Sequence, residues 1–274
     1  MLNVVAAETS QDEKPQNTLT SLFGFEDDFN QHGFDKDIGT EGILLLGPLK
    51  CQTSCMLFQY AFKHARRGET VLYICSNKEA LRATQPYVPL GSSPPTPSVL
   101  ARVHIRYITS SYALRMFLAW FPHVTSIPGL PELPDCIVID DLSSFFATGQ
   151  ATHEEISRTM ALVNLTMDFV REEKKSDVYV LASCTSCQSV EFPEYQSAQV
   201  SIDAVCRRFF RWTVTIAGDH PDFTMTMEES SVYGGRLFRP SNGTPHRADT
   251  DETDAMGDKL VYRVDEANKY IILR

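Results

Sequence analysis

The sequence predicts an α/β domain in which helices flank a mostly parallel β-sheet and a β-hairpin ends the chain. Short apolar runs recur along the chain, and helix-length segments separate most of them. Strands that are apolar throughout are typical of parallel sheets whose two faces are both covered. Two of these runs end in residues that suit a nucleotide site, and ligands of such sheets bind at the carboxyl ends of the strands.

The first run, residues 43–47, leads through a short loop into a helix-like segment, as in a phosphate-binding loop. A working loop has the spacing G-x-x-x-x-G-K-[ST]: backbone N–H groups hold the phosphates, the lysine contacts the β- and γ-phosphates, and the hydroxyl holds Mg²⁺. Gly47 and Ser54 match this motif, but Gln52 replaces the second glycine and Thr53 replaces the lysine. The Cβ of Gln52 also disfavours the left-handed backbone that glycine adopts freely.

The missing lysine removes a positive charge that stabilises phosphoryl transfer, so we expect no efficient ATP hydrolysis. Three interpretations of the loop remain open: an ordinary strand-to-helix turn, residual nucleotide binding, and true hydrolysis. If the site works, ATP with Mg²⁺ is its cofactor.

Later runs supply further strands, at residues 70–75, 136–140 and 177–183. The second of them ends on Asp140 and Asp141, the Walker B pattern, in which an aspartate orients Mg²⁺ or its water. The same two residues equally suit a strand end followed by a helix cap. Because the carboxyl ends of parallel strands meet at one edge of the sheet, Gly47, Asp140 and Ser183 should lie close together.

Length and composition agree with one α/β domain and a tail. The chain has 274 residues, and we expect neither a membrane span nor a signal peptide in it. Its seven cysteines are scattered through the apparent elements, which favours a reduced intracellular compartment over a disulfide framework. The net charge of −10 argues against a generally basic surface that coats nucleic acid.

Residues 1–40 are predicted to form a flexible acidic tail, and residues 41–274 the core, with an acidic flexible insertion at about 241–258. The tail carries Phe23, Phe25 and Phe29 among polar and acidic residues. One interpretation is a disordered tail, and another is a segment that docks on a partner through these aromatic side chains. A third is that the segment folds back onto its own core.

The order and spacing of these motifs resemble the core of RecA-type recombinases, over roughly residues 41–217. Within that superfamily the chain is most similar to the small paralogues that partner a SWIM-type zinc-finger protein in the Shu complex. The resemblance implies a nuclear protein of homologous-recombination DNA repair that binds the SWIM-type protein, a RecA-type recombinase and single-stranded DNA. The residues that carry it are 44–47, 70–74, 103–108 and 135–143, with weaker support from 207–212 and the terminal hairpin.

The clearest candidate for nucleic-acid binding is a cluster of Arg207, Arg208 and Arg211, interleaved with aromatic residues. Cations and aromatic rings together suit single strands, because they contact phosphates and stack on bases. The alternative is that the aromatic side chains lie in the core. No metal site is predicted, because Cys184 and Cys187 form a lone C-x-x-C pair, and zinc would belong to the partner.

Three classes of function follow. The first is a recombinase-paralogue subunit with an eroded nucleotide site. The second is an active DNA-stimulated ATPase of the same family. The third is a RecA-like scaffold subunit of an Elongator-type ring, whose members keep a similar core with altered Walker motifs.

Overall fold

The computed structural model describes residues 18–23, 42–48, 50–78, 88–90, 93–123, 130, 132–146, 151–185, 202–230, 259–265 and 270–273. The strands are β1 Ile43–Gly47, β2 Val71–Cys75, β3 Val88–Pro89, β4 Val103–Tyr107, β5 Cys136–Asp140, β6 Tyr179–Thr185, β7 Trp212–Asp219, β8 Asp222–Glu229, β9 Lys259–Asp265 and β10 Tyr270–Leu273. The α-helices are α1 Thr18–Phe23, α2 Thr53–Arg66, α3 Pro97–Leu100, α4 Ser111–Trp120, α5 Leu142–Phe145, α6 His153–Lys174 and α7 Ile202–Cys206; a 3-10 turn, Phe121–His123, follows α4.

The described strands form one 10-stranded sheet in the order β3-β10-β9-β8-β7-β1-β6-β5-β2-β4. From β7 to β4 all neighbours are parallel, whereas β7, β8, β9 and β10 pair antiparallel. The predicted fold class is therefore confirmed, including the terminal hairpin of β9 and β10. In register, Gly47 lies beside Thr185 and Cys75 beside Asp140, so the candidate residues meet at one edge.

Successive residues of the central strands point to opposite faces, and each face has its own core. Ile43 and Leu45 of β1 pack with α1 and α2, while Leu44 and Leu46 pack with α4, α5, α6 and α7. The longest helix, α6, begins with a capping box in which the Thr152 hydroxyl accepts from the backbone N–H of Glu155. Because both faces of these strands are buried, apolar residues do not alternate with polar ones along them.

Part of the predicted tail belongs to the core, which corrects the boundary placed at residue 40. Helix α1 is buried against α2, and the side chains of Leu19, Leu22 and Phe23 are each 0% exposed. The reason is an apolar triplet with helical spacing that closes one face of the sheet. Phe25, Phe29 and the insertion at 241–258 lie outside the described residues. Within the described part of the chain, no helix is long and apolar enough to span a membrane.

Candidate functional site

Two residues between β1 and α2 have a left-handed backbone, and one of them stands where the motif has its second glycine. Gln52, which replaces the glycine, is left-handed at φ 64° and ψ 37°, and Lys50 has a φ of 73°. Gln52 therefore adopts the left-handed conformation even though its Cβ disfavours it. Gln52 adopts it at a cost of about 1 kcal/mol, which the surrounding structure offsets.

Packing beneath the loop explains the retained Gly47. A Cβ built at Gly47 would lie 2.5 Å from Sγ of Cys51 and 3.3 Å from Cβ of Ile216 on β7. Cys51 itself is fully buried, and burial raises the pKa of its thiol to about 12. The loop is therefore anchored in the core from below, and no larger residue fits at its first position.

The start of α2 offers donors for an anion but no cation. The backbone N–H groups of Thr53 and Ser54 lie in the first turn of α2, where N–H groups have no acceptor within the helix, and the N–H of Thr53 interacts with the Cys51 thiol. These groups and the positive end of the helix dipole favour a negative charge. Thr53, however, is too short to supply the charged contact that a lysine makes, and Lys50 is exposed.

Asp140 lies at the end of β5, directly opposite the loop. Its Oδ1 accepts hydrogen bonds from the hydroxyls of Ser54 at 3.1 Å and Ser183 at 3.2 Å, and its Oδ2 accepts one from Tyr73 at 2.7 Å. Burial raises the pKa of the Asp140 carboxyl above its usual value, and the three hydroxyl donors offset part of this rise. Asp140 is thus a buried carboxyl group whose two oxygens both accept hydrogen bonds.

Asp141 caps a helix and joins two strands. Its carboxylate accepts from the backbone N–H of Ser143 at the start of α5, and from the backbone N–H and the hydroxyl of Thr185 on β6 at 3.0 Å and 2.9 Å. The Asp140–Asp141 peptide bond is cis. These contacts favour the alternative in which Asp141 ends the strand and caps the next helix.

The residues present fit Mg²⁺ and a nucleotide only in part. The hydroxyl of Ser54 and the carboxylate of Asp140 are the two groups that would hold a Mg²⁺ ion directly or through water. The loop N–H groups would contact phosphate oxygens. The lysine position does not fit, because Thr53 offers no charge, so these residues support binding better than phosphoryl transfer.

The arginine cluster is largely engaged in ion pairs. The guanidinium of Arg207 contacts Glu228 at 2.5 Å, and that of Arg211 contacts Glu229 at 2.8 Å, both on β8. Arg208 is exposed. Phe210 is buried in the core behind this cluster, as the alternative interpretation expected for the aromatic side chains. The residues thus lie together, but two of the three cations already face carboxylates.

Sequence reasoning missed two site residues, Tyr73 and Tyr262. Tyr73 was included in a predicted strand, and the adjacency of β2 and β5 would have placed it near Asp140. Tyr262 lies on β9 and donates from its hydroxyl to the carbonyl of Cys51 at 2.8 Å. No local pattern indicates that contact.

For the C-x-x-C pair, Cys184 is buried on β6, whereas Cys187 lies outside the described residues.

The fold is an α/β domain in which Ser54, at the start of α2, meets Asp140, at the end of β5. Among solved structures, the chain is similar to the RadB recombinase (TM-score 0.49, 11% identity, covering 93% of this chain and 96% of that one). It is also similar to the KaiC-like protein PH0186 from the hyperthermophilic archaeon Pyrococcus horikoshii OT3 (TM-score 0.48, 12% identity, covering 86% and 90%). No protein-family model matches the chain, and no curated protein matches it.

Proposed function

We propose that this chain is a recombinase-paralogue subunit that supports homologous-recombination DNA repair in the nucleus and does not depend on efficient ATP hydrolysis. Its partners in this proposal are a SWIM-type zinc-finger protein, a RecA-type recombinase and single-stranded DNA. The order of the motifs along the chain, and their resemblance to RecA-type recombinases, support this choice over other α/β proteins.

One observation carries the proposal: residue 52 is left-handed and Ser54 contacts Asp140, whereas Thr53 stands at the position of the motif lysine. The first two features suit a nucleotide site, and the third removes the cation that phosphoryl transfer needs. A domain that keeps this backbone but lacks the residue for phosphoryl transfer suits a subunit that acts by assembling with other proteins.

An unpaired sheet edge supports the dependence on a partner. Among the described strands, β4 pairs only with β2, and no described strand pairs with its other edge. Ile105 and Tyr107 on this strand are exposed, and Nζ of Lys78 lies 5.5 Å from the Tyr107 ring centroid. Such an edge is suited to strand addition by a partner segment.

Affinity purification of the full chain from native cells tests the assembly. We expect a SWIM-type zinc-finger protein and a RecA-type recombinase among the bound proteins. Subunits of an Elongator-type ring would instead support the scaffold alternative, and a partner-free monomer would refute the subunit proposal.

ATP turnover tests the loss of catalysis. The purified chain, alone and together with its partner and single-stranded DNA, should turn over ATP no faster than an Asp140→Asn variant does. Robust turnover that disappears in this variant would show that another residue replaces the lysine and that the chain is an active ATPase.

A further inference from the structure

The middle of the phosphate loop is tied to a strand at the opposite end of the sequence. The hydroxyl of Tyr262 on β9 donates to the carbonyl of Cys51, which lies 211 residues earlier in the chain. Tyr262 is fully buried, and Phe223 of β8 stacks on its ring with centroids 5.4 Å apart. The donor is therefore held in place by two neighbouring strands of the antiparallel part of the sheet.

This hydrogen bond fixes the orientation of one peptide unit. The Cys51–Gln52 bond is trans, since the cis bonds among the described residues are Asp140–Asp141 and His220–Pro221. In a trans peptide the C=O and N–H groups point in opposite directions. With the Cys51 carbonyl directed at Tyr262 in the core, the N–H of Gln52 is directed away from the core, on the open side of the loop.

The backbone changes handedness between Gln52 and the residue that follows it. Gln52 is left-handed and Thr53 begins the right-handed helix α2. A change of handedness between neighbouring residues can turn successive N–H groups towards a concavity that suits an oxyanion, and the N–H of Gln52 would be the first donor of such a concavity. The N–H of Thr53 interacts with the Cys51 thiol. A flip of the Cys51–Gln52 peptide would replace the first of these donors with a carbonyl oxygen.

We propose that Tyr262 is a positioning residue that prevents this flip and holds the loop in its phosphate-ready shape without any ligand. The inference rests on the proposed function only in taking the loop as the remnant of a nucleotide site, whose occupant would be a phosphate oxyanion. The charge that a lysine would bring is absent, and the antiparallel strands β8 and β9 supply the restraint on the loop.

The thiol of Cys51 reports on this restraint. Cys51 is 0% exposed and its thiol pKa is about 12, so it reacts with a maleimide only when the loop opens. Cys136 on β5 is equally buried and serves as the reference for opening of the whole domain. Mass spectrometry after timed labelling of the full chain gives both rates.

Two single-hydroxyl variants make a matched pair. Tyr262→Phe removes the hydrogen bond to Cys51, whereas Tyr60→Phe removes a buried hydroxyl that has no hydrogen-bond partner among the described residues. In Tyr262→Phe we expect Cys51 to be labelled about twofold to tenfold faster, the factor that one ordinary hydrogen bond gives. The rate at Cys136 should stay unchanged, and Tyr60→Phe should change neither rate.

Three outcomes would overturn the proposal. An equal rise at Cys51 and Cys136 would show that Tyr262 only stabilises the domain, and no rise at Cys51 would show that it does not restrain the loop. If Tyr262→Phe fails to fold, the wild-type chain decides: labelling of Cys51 much faster than Cys136 would mean that the loop is not held. The experiment needs no partner, DNA or nucleotide, so its failure and that of the proposed function are distinguishable.

Discussion

Restoring the two missing motif residues should turn the loop into a nucleotide site. The loop backbone already has the required left-handed residue at position 52, and Ser54 already lies 3.1 Å from Asp140. In a chain carrying Gln52→Gly and Thr53→Lys, the main change to the site is therefore the new positive charge. A charge-assisted hydrogen bond contributes about 1.5–3 kcal/mol, which corresponds to roughly 10-fold to 150-fold tighter binding of Mg²⁺-ATP.

Stability should change little in this double variant. Glycine at position 52 removes a left-handed strain of about 1 kcal/mol, while its greater freedom in the unfolded chain costs about 0.5–1 kcal/mol. Any change in nucleotide affinity is then a property of the site and not of folding.

Titration of a fluorescent ATP analogue in the presence of Mg²⁺ measures the effect. The matched control carries Gln52→Gly with Thr53→Met, a side chain of comparable length without charge. A second control adds Asp140→Asn to the restored chain and should lose much of the gained affinity. The reasoning is refuted if the restored chain, still folded, binds no more tightly than the methionine control.

Three further predictions concern regions outside the loop. Burial lowers the pKa of His64 below its usual value of 6.5, so the folded chain binds this proton less well than the unfolded chain. The free energy of unfolding should therefore fall as the pH drops below 6.5. Denaturant midpoints of His64→Gln should depend less steeply on pH than those of the wild type, and an unchanged pH slope would contradict the assignment. Binding to single-stranded DNA should be weak and should depend only slightly on salt concentration. Arg208→Ala should reduce it more than Arg207→Ala, because the guanidinium of Arg207 already pairs with a carboxylate. The reverse order in a salt-series titration would show that this ion pair opens on binding. Tyr107→Lys on the edge strand β4 should reduce copurification of the partner several-fold. Leu165→Lys, at an exposed position of α6, should not reduce it. Equal losses of copurified partner in the two variants would place the contact elsewhere.

The parallel part of the fold could be predicted because its signals are local. Each of β1, β2, β5 and β6 is a short run that is apolar on both faces, and each ends near a polar residue. Parallel strands align their carboxyl ends, so the expectation that Gly47, Asp140 and Ser183 lie at one edge follows from the order of the motifs alone, and Asp140 does contact Ser183.

The rest depends on contacts between distant parts of the chain. Nothing in the neighbourhood of Tyr262 indicates that its hydroxyl contacts Cys51, because that contact requires the order in which β9, β8 and β7 pair. The left-handed conformation of Gln52 was likewise judged from the residue type, whereas the surrounding packing decides it. Local propensity is overridden where tertiary contacts hold the backbone.

Helix α1 limits how the N-terminal region can be studied. Its three apolar side chains are completely enclosed, and burial of each contributes about 1.5–3 kcal/mol, a total comparable with the net stability of a typical domain, about 5–15 kcal/mol. A chain shortened to begin at residue 41 would therefore expose the apolar surface over α2 and aggregate, and loss of partner binding in it would say nothing about docking. Substitution of Phe25 or Phe29 leaves this helix in place, and so separates recognition by the aromatic segment from the integrity of the domain.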